Sequence, residues 1–426
     1  MVIELISVGT EILLGNIVNT NANYLSKKCA ELGFSLYYQI SVGDNEKRLC
    51  DVLKTALSRS DIIILTGGLG PTQDDMTKEA VANVLERNLI MDEVSKERIL
   101  SYFQFRFKNN SNHVPAVITE NNWKQALKIE DCIVVDNDNG TAPGYIVEAD
   151  NKVVILLPGP PNELVPMFED KIFPYLKKLQ NKVFVSKMVK ICGVGESKAE
   201  TEILDLIEGQ SNPTIAPYAK SGEVHFRVTA ASESEEEAEK LLQPVIEELF
   251  KRFEDNIYTT DEEETLEGVV VKLLDQHRLT LATAESCTGG LFTGCIVNVA
   301  GASEVLKEGF ITYSNQAKVK YLGVKEETLN TYGAVSEMTA GEMAIGAAKA
   351  AGADAAVAIT GIAGPGGGTE EKPVGLVYIS CYLNDKVVVR EYRMKGNRQK
   401  IREQSVIYAL DLVRRCVLEQ YKQKLK

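Results

Sequence analysis

Ser303, Tyr313 and Lys318 bring together, within a short stretch of the C-terminal third, the side chains that amide hydrolysis needs when histidine is not used. They stand in Gly301-Ala302-Ser303 and in Tyr313-Ser314-Asn315-Gln316-Ala317-Lys318. A serine hydroxyl is a weak nucleophile at neutral pH and needs a base beside it. A lysine is such a base if burial lowers its pKa from about 10.4 towards about 7. Asn315 or Ser314 can cap a short helix, and Lys318 then projects from its first turn, near the end of the strand that Tyr313 closes. The competing reading makes Lys318 a solvated helix lysine and Tyr313 a core aromatic.

Two glycine-rich turns flank this set. Ala284-Glu285-Ser286-Cys287-Thr288-Gly289-Gly290 lies between a strand-like and a helical run, so Thr288, Gly289 and Gly290 would offer N–H groups to a phosphate. A tight turn that uses glycine for packing fits the same pattern. Cys287 is a second nucleophile candidate, without a histidine nearby to activate it. Thr360-Gly361-Ile362-Ala363-Gly364-Pro365-Gly366-Gly367-Gly368 lacks the Lys-Ser/Thr ending of a nucleotide P-loop, which disfavours ATP hydrolysis. It reads as a flexible lid or as a loop that encloses substrate.

In the N-terminal third, Thr66-Gly67-Gly68-Leu69-Gly70-Pro71-Thr72-Gln73-Asp74-Asp75 sets a glycine turn beside two carboxylates. Such a turn can admit a pyrophosphate, and the carboxylates can hold a divalent cation that bridges its phosphates. Asp74 can equally cap a helix over residues 76–85. His113, His225 and His277 are widely separated, which argues against a histidine metal site.

The elements that must position these groups are legible from periodicity. Residues 3–8, 36–42 and 61–66 read as strands, and 21–32 and 46–57 as helices, the first stopped by Gly33. This alternation predicts a doubly wound, mostly parallel sheet whose ligands sit beyond the strand C-termini. Residues 183–192 and 223–231 read as strands and 196–206 and 234–253 as helices, a small α+β module followed by an acidic connector over 255–265. A second α/β unit follows, with strands over 279–284, 309–313, 355–360, 374–383 and 387–392. Its helices are expected over 266–276, 291–298, 315–322, 339–351 and 398–420. The fold class is therefore α/β, with two doubly wound domains and a small α+β domain between them.

A chain of 426 residues is expected to form two or three domains. Its net charge of −13 argues against broad nucleic-acid or membrane-surface binding. The eight cysteines form no Cys-x-x-Cys, and no signal peptide or membrane span is read, so a reduced cytoplasm is expected.

At these motifs the chain resembles the CinA family of competence/damage-inducible proteins over essentially its whole length. Gly9-Thr10-Glu11-Ile12-Leu13-Leu14-Gly15, Asn19-Thr20-Asn21-Ala22, Thr66–Asp75, Gly140–Gly144 and Pro158–Glu163 resemble the family's molybdopterin-binding-like domain. Ala284–Gly290, Tyr313–Lys318, Gly333-Ala334-Val335-Ser336 and Thr360–Pro365 resemble its nicotinamide-mononucleotide amidase domain. The implied domains are 1–172, a KH-like 173–257, and 258–426. The resemblance implies hydrolysis of nicotinamide mononucleotide to the acid and ammonia, without a cofactor. Ser303 would be the nucleophile, Lys318 the base, and Tyr313 and Thr360 assisting hydroxyls. Ser286, Cys287, Thr288, Gly289, Gly290, Gly361, Gly364, Arg398 and Arg402 would bind substrate. It also implies an ADP-ribose pyrophosphatase in the N-terminal domain that uses a divalent metal cation. Gly9, Glu11, Asn21, Gly67, Gly68, Gly70, Thr72, Pro158 and Gly159 would bind the nucleotide, and Asp74, Asp75 and Glu163 the metal. A homodimer is expected. The alternative is a non-catalytic nucleotide- or pterin-binding regulatory module. A nucleic-acid role for the KH-like part is disfavoured, since Val194-Gly195-Glu196-Ser197 is not a Gly-x-x-Gly loop.

Overall fold

The computed structural model describes residues 1–109 and 119–422; His113 lies outside them. The chain divides into two compact units, Met1–Val185 with Ala231–Ala238, and Ser186–Ala230 with Glu239–Lys426. No helix among the described residues is long and apolar enough to cross a membrane.

The first unit carries β1 (Val2–Val8), β2 (Ser35–Val42), β3 (Ile62–Thr66), β4 (Leu89–Met91), β5 (Leu127–Ile129), β6 (Ile133–Val135), β7 (Gly144–Ala149) and β8 (Lys152–Leu157). Its main sheet runs β2-β1-β3-β8-β7-β6. The first four strands are parallel, β7 runs antiparallel to β8, and β6 pairs antiparallel to β7. The sheet is therefore mixed. Asp150 and Asn151, both at positive φ, turn β7 directly into β8, a connection too short for parallel neighbours. Alternate residues feed opposite faces: Ile63 and Leu65 meet Leu49 and Leu53, whereas Ile62 and Ile64 meet Leu25 and Phe168. The helix after the glycine turn spans Thr77–Val84 with Met76 at its N-cap and no side-chain cap. Asp74 is thus not the cap.

A four-stranded sheet, β10-β11-β9-β12, follows from β9 (Val183–Cys192), β10 (Thr214–Lys220), β11 (Glu223–Ser232) and β12 (Ile257–Thr259). Sequence periodicity gives no sign of β10, because it is a mostly exposed edge strand containing Pro217. The helix expected over 196–206 is broken at Ile203 into Glu196–Glu202 and Leu204–Glu208. Lys190 holds the acidic connector by donating to Glu262 O and Glu264 O, each at 2.7 Å.

The third sheet, β14-β13-β15-β16-β17, contains β13 (Leu281–Glu285), β14 (Leu306–Ile311), β15 (Ala355–Gly361), β16 (Leu376–Leu383) and β17 (Lys386–Arg393). β14, β13 and β15 are parallel, β16 runs antiparallel to β15, and β17 pairs antiparallel to β16. One face is built of alanines, Ala282, Ala284, Ala356 and Ala358, which let the helix Glu337–Ala351 pack close. The other face, with Leu281, Val357, Ile359 and Ile379, is covered by Val270 and Leu274 of Leu266–Gln276 and by Ile401, Leu410 and Val413 of Arg398–Lys422.

Candidate active site

In the C-terminal sheet the ends of three parallel strands converge. Ser286 follows β13 and its N–H donates to Ile359 O of β15 at 3.0 Å. Thr312 follows β14 and its N–H donates to Glu285 O at 2.8 Å. The helix Asn315–Leu322 then starts from Ser314, whose hydroxyl accepts from Ala317 N, and ends on Gly323 at φ 64°. Helical side chains lean towards the N-terminus, so Lys318 reaches back over the strand ends. Its Nζ lies 2.7 Å from Thr312 O, 3.4 Å from Tyr313 O and 3.1 Å from Ser286 Oγ. Lys318 is 0 % exposed, and burial pushes its pKa down to about 8. The three N–H bonds of the ammonium form meet these three oxygens, and loss of one proton leaves a lone pair that can take the proton of the Ser286 hydroxyl.

The lysine's serine is therefore Ser286, not Ser303. Ser303 is exposed on the short helix Ala302–Val305 and makes no hydrogen bond to Lys318. Tyr313 also differs from expectation. Only its backbone carbonyl faces Lys318; its side chain is 64 % exposed, with the hydroxyl 3.5 Å from Arg398 Nη2. Thr360 is buried and donates to Ala334 O at 2.7 Å, which ties β15 to the turn before Ser336 rather than to the dyad. Cys287 is buried, and burial raises its thiol to about 11, so no thiolate is present at neutral pH.

Sequence reasoning missed Glu285. Its fully buried carboxylate accepts from Gly290 N at 2.9 Å, Phe292 N at 3.1 Å, Thr293 N at 2.8 Å and Thr293 Oγ1 at 2.6 Å. The start of the helix Leu291–Val297 is thus filled by the chain's own anion, and the N–H of Gly290 is not free for a phosphate. Gly289 and Gly290 hold φ of 61° and 96°. Arg402 donates to Cys287 O at 3.0 Å and Thr288 O at 2.7 Å, and Arg398 donates to Gly364 O at 2.8 Å. Neither arginine has a carboxylate partner among the described residues. A Cβ on Gly361 would meet Leu376 O at 2.8 Å, so that glycine serves the β15–β16 pairing.

In the first unit, a cavity of about 620 Å³ lies beyond the C-termini of β1, β3 and β8. It gathers Gly9, Glu11, Asn21, Gly67, Gly68, Gly70, Asp74, Asp75, Pro158, Gly159 and Glu163. Gly67, at φ 93°, has no room for a side chain: a Cβ there would meet Val8 O at 2.3 Å. Asn21 Nδ2 donates to Gly159 O at 2.7 Å. Thr72 does not line the cavity; its N–H and hydroxyl both donate to the Asp75 carboxylate. The turn is held from behind by Lys124, which donates to Thr72 O and Asp75 O, a clamp invisible to sequence patterns. Burial raises the Glu163 carboxyl despite its 2.7 Å bond from Asn137.

Among the described residues the cavity is lined by five carboxylates, Glu11, Asp44, Asp74, Asp75 and Glu163, and by no lysine, arginine or histidine. Among the described residues no group of three or more His, Cys, Asp or Glu side chains could hold a metal ion, so Asp74, Asp75 and Glu163 do not form a closed centre. The donor set instead fits a hard cation that takes one or two carboxylates and completes its shell with water and ligand phosphates.

The fold and these two sites define a multidomain α/β protein with a buried serine–lysine pair at one sheet's strand ends and an acidic cavity at another's. Three family profiles match successive parts: a probable molybdopterin binding domain over residues 4–178, the damage-inducible protein CinA KH domain over 186–259, and the CinA C-terminal domain over 263–417. A Clostridium beijerinckii protein named as competence-damage inducible is 52% identical over 416 residues, covering 98% of this chain and 99% of its own. A CinA-like protein of Kosmotoga olearia is 52% identical over 415 residues, covering 97% and 98%. The chain belongs to the CinA family. Among solved structures, the competence/damage inducible protein CihA from Agrobacterium tumefaciens is 46% identical over 35% of this chain and 91% of its own, with a TM-score of 0.34.

Proposed function

We propose that the C-terminal site hydrolyses the carboxamide of nicotinamide mononucleotide by serine–lysine acyl transfer, with Ser286 as nucleophile. The observation that carries this reading is the 3.1 Å approach of buried Lys318 Nζ to Ser286 Oγ, with the amine lowered to about 8. Neutral Lys318 takes the Ser286 proton as the oxygen attacks the amide carbon. The lysine then gives that proton to the leaving nitrogen, and ammonia departs. Water, deprotonated by the same lysine, cleaves the acyl-enzyme to the acid and restores Ser286. Arg398, exposed beside the Tyr313 hydroxyl and without a carboxylate partner among the described residues, is the cation we assign to the substrate phosphate. The test is ammonia release by purified protein. Ser286→Ala should lose on the order of 10³-fold or more in kcat, while Ser303→Ala and Cys287→Ala keep most of it. An inactive Ser303→Ala protein beside an active Ser286→Ala protein would overturn the assignment.

A second activity is proposed for the N-terminal cavity, hydrolysis of ADP-ribose with a divalent cation. The all-acidic lining favours it, because a pyrophosphate could not settle among five carboxylates without a neutralising cation. When bound, that cation would offset phosphate charge, and Asp74 and Asp75 on the glycine turn would hold it. Chelation should abolish ADP-ribose hydrolysis and spare ammonia release. Loss of both activities together in folded protein would contradict two separate sites.

A further inference from the structure

Attack on the carboxamide turns its carbonyl oxygen into an oxyanion, and a charge of that kind needs fixed donors. Building on the serine–lysine reading, we propose that the N–H groups of Thr288 and Gly289 form the oxyanion hole and that Arg402 is the positioning residue that aims them.

The donors of the turn can be accounted for one by one. The N–H of Ser286 is taken by Ile359 O and that of Gly290 by Glu285. Phe292 and Thr293 also give theirs to Glu285, so the following helix has none left there for a second anion. The N–H groups of Cys287, Thr288 and Gly289 meet no acceptor among the described residues.

Arg402 decides where two of these point. Its Nε holds Cys287 O at 3.0 Å and its Nη2 holds Thr288 O at 2.7 Å. Both peptides are trans, and in a trans peptide the C=O and N–H are antiparallel. The Cys287 carbonyl shares its peptide with the Thr288 N–H, and the Thr288 carbonyl shares its own with the Gly289 N–H. One guanidinium gripping both carbonyls therefore turns both N–H groups to its far side. Gly289 at φ 61° continues the curve, and successive N–H groups around a left-handed residue form an anion-binding concavity.

A separate observation points the same way. Among the described residues Thr288 Oγ1 is buried without a hydrogen-bond partner, and a buried polar atom left so calls for a strain, a water or a catalytic role to account for it. Arg402 itself is spent on the backbone, so it is not the residue that binds the phosphate.

Steady-state kinetics of Arg402→Ala, Arg402→Gln and Arg402→Lys, with nicotinamide mononucleotide and with nicotinamide riboside, test this. We expect kcat to fall on the order of 10²-fold with little change in KM, equally for both substrates. Inhibition by a boronic acid analogue of the substrate, whose adduct with Ser286 carries the tetrahedral anion, should weaken by a similar factor. Binding of the product acid should not change, and added guanidinium should restore part of the alanine variant's rate. A rise in KM confined to the phosphorylated substrate would overturn the proposal by making Arg402 a phosphate ligand. Unchanged boronate affinity would overturn it too. If the alanine variant fails to fold by circular dichroism, the glutamine and lysine variants carry the same comparison. Wild-type protein that releases no ammonia refutes the serine–lysine reading itself, whereas active wild type with unaffected Arg402 variants refutes this inference alone.

Discussion

The proposed lysine base makes a quantitative demand on pH. Lys318 sits at about 8 because burial removes water from its ammonium form. A base works only when neutral, so activity must rise with pH. The neutral fraction is about 1% at pH ~6, about 10% at pH ~7 and about 90% at pH ~9. The logarithm of kcat/KM for ammonia release should therefore climb with unit slope below about pH 8 and level off above it, a gain of about 90-fold from pH ~6 to pH ~9. Lys318→Arg keeps a positive charge but cannot lose it at these pH values. It should be as inactive as Lys318→Ala and show no climb. The assay is initial-rate ammonia release in buffers of constant ionic strength, with circular dichroism at each pH to exclude unfolding. A flat wild-type profile, or an arginine variant with wild-type turnover, would show that Lys318 serves only as a fixed charge.

Two further outcomes bear on the N-terminal unit. Asp74→Asn combined with Asp75→Asn removes two carboxylate charges with little change in volume, and should stop ADP-ribose hydrolysis while leaving ammonia release intact, both measured on one preparation. Gly68→Ala should destabilise the unit by about 2–3 kcal/mol, because Gly68 stands at φ 67° and a Cβ would lie 2.2 Å from Thr77 Oγ1, displacing that hydroxyl from Gly67 O. Denaturant unfolding followed separately for the two units checks this, and an unchanged midpoint for the first unit would refute it.

The sequence revealed much of the frame because the frame obeys local rules. The helix Asn315–Leu322, its serine cap and its closing glycine follow from spacing and turn chemistry alone. Helical lean then points Lys318 back towards the strand end, while spacing alone leaves it open between a base and a solvated helix lysine. Its partner does not follow from such rules. Ser303 is nearer in sequence, but Ser286 is nearer in space, because parallel pairing aligns the ends of β13, β14 and β15 across long crossovers. The rule that ligands gather beyond strand C-termini was the signal available, since Ser286 directly follows a strand. Tyr313 was misread for a related reason: a backbone atom and a side chain of one residue can serve different neighbours. Arg402 and Lys124 act on backbone groups distant in sequence, and Glu285 turns back on the N–H groups that follow it; no residue pattern encodes such contacts.

The acidic lining of the N-terminal cavity has a kinetic meaning as well as a chemical one. Most enzymes of anionic substrates draw them in with a positive field, and added salt slows the encounter. Here Glu11, Asp44, Asp74, Asp75 and Glu163 line the cavity. On the proposed reading they would turn a bare polyanion away, most strongly at low ionic strength, where their field reaches furthest. Capture should therefore quicken as salt is added, and free cation concentration becomes a tap on access before any bond is broken.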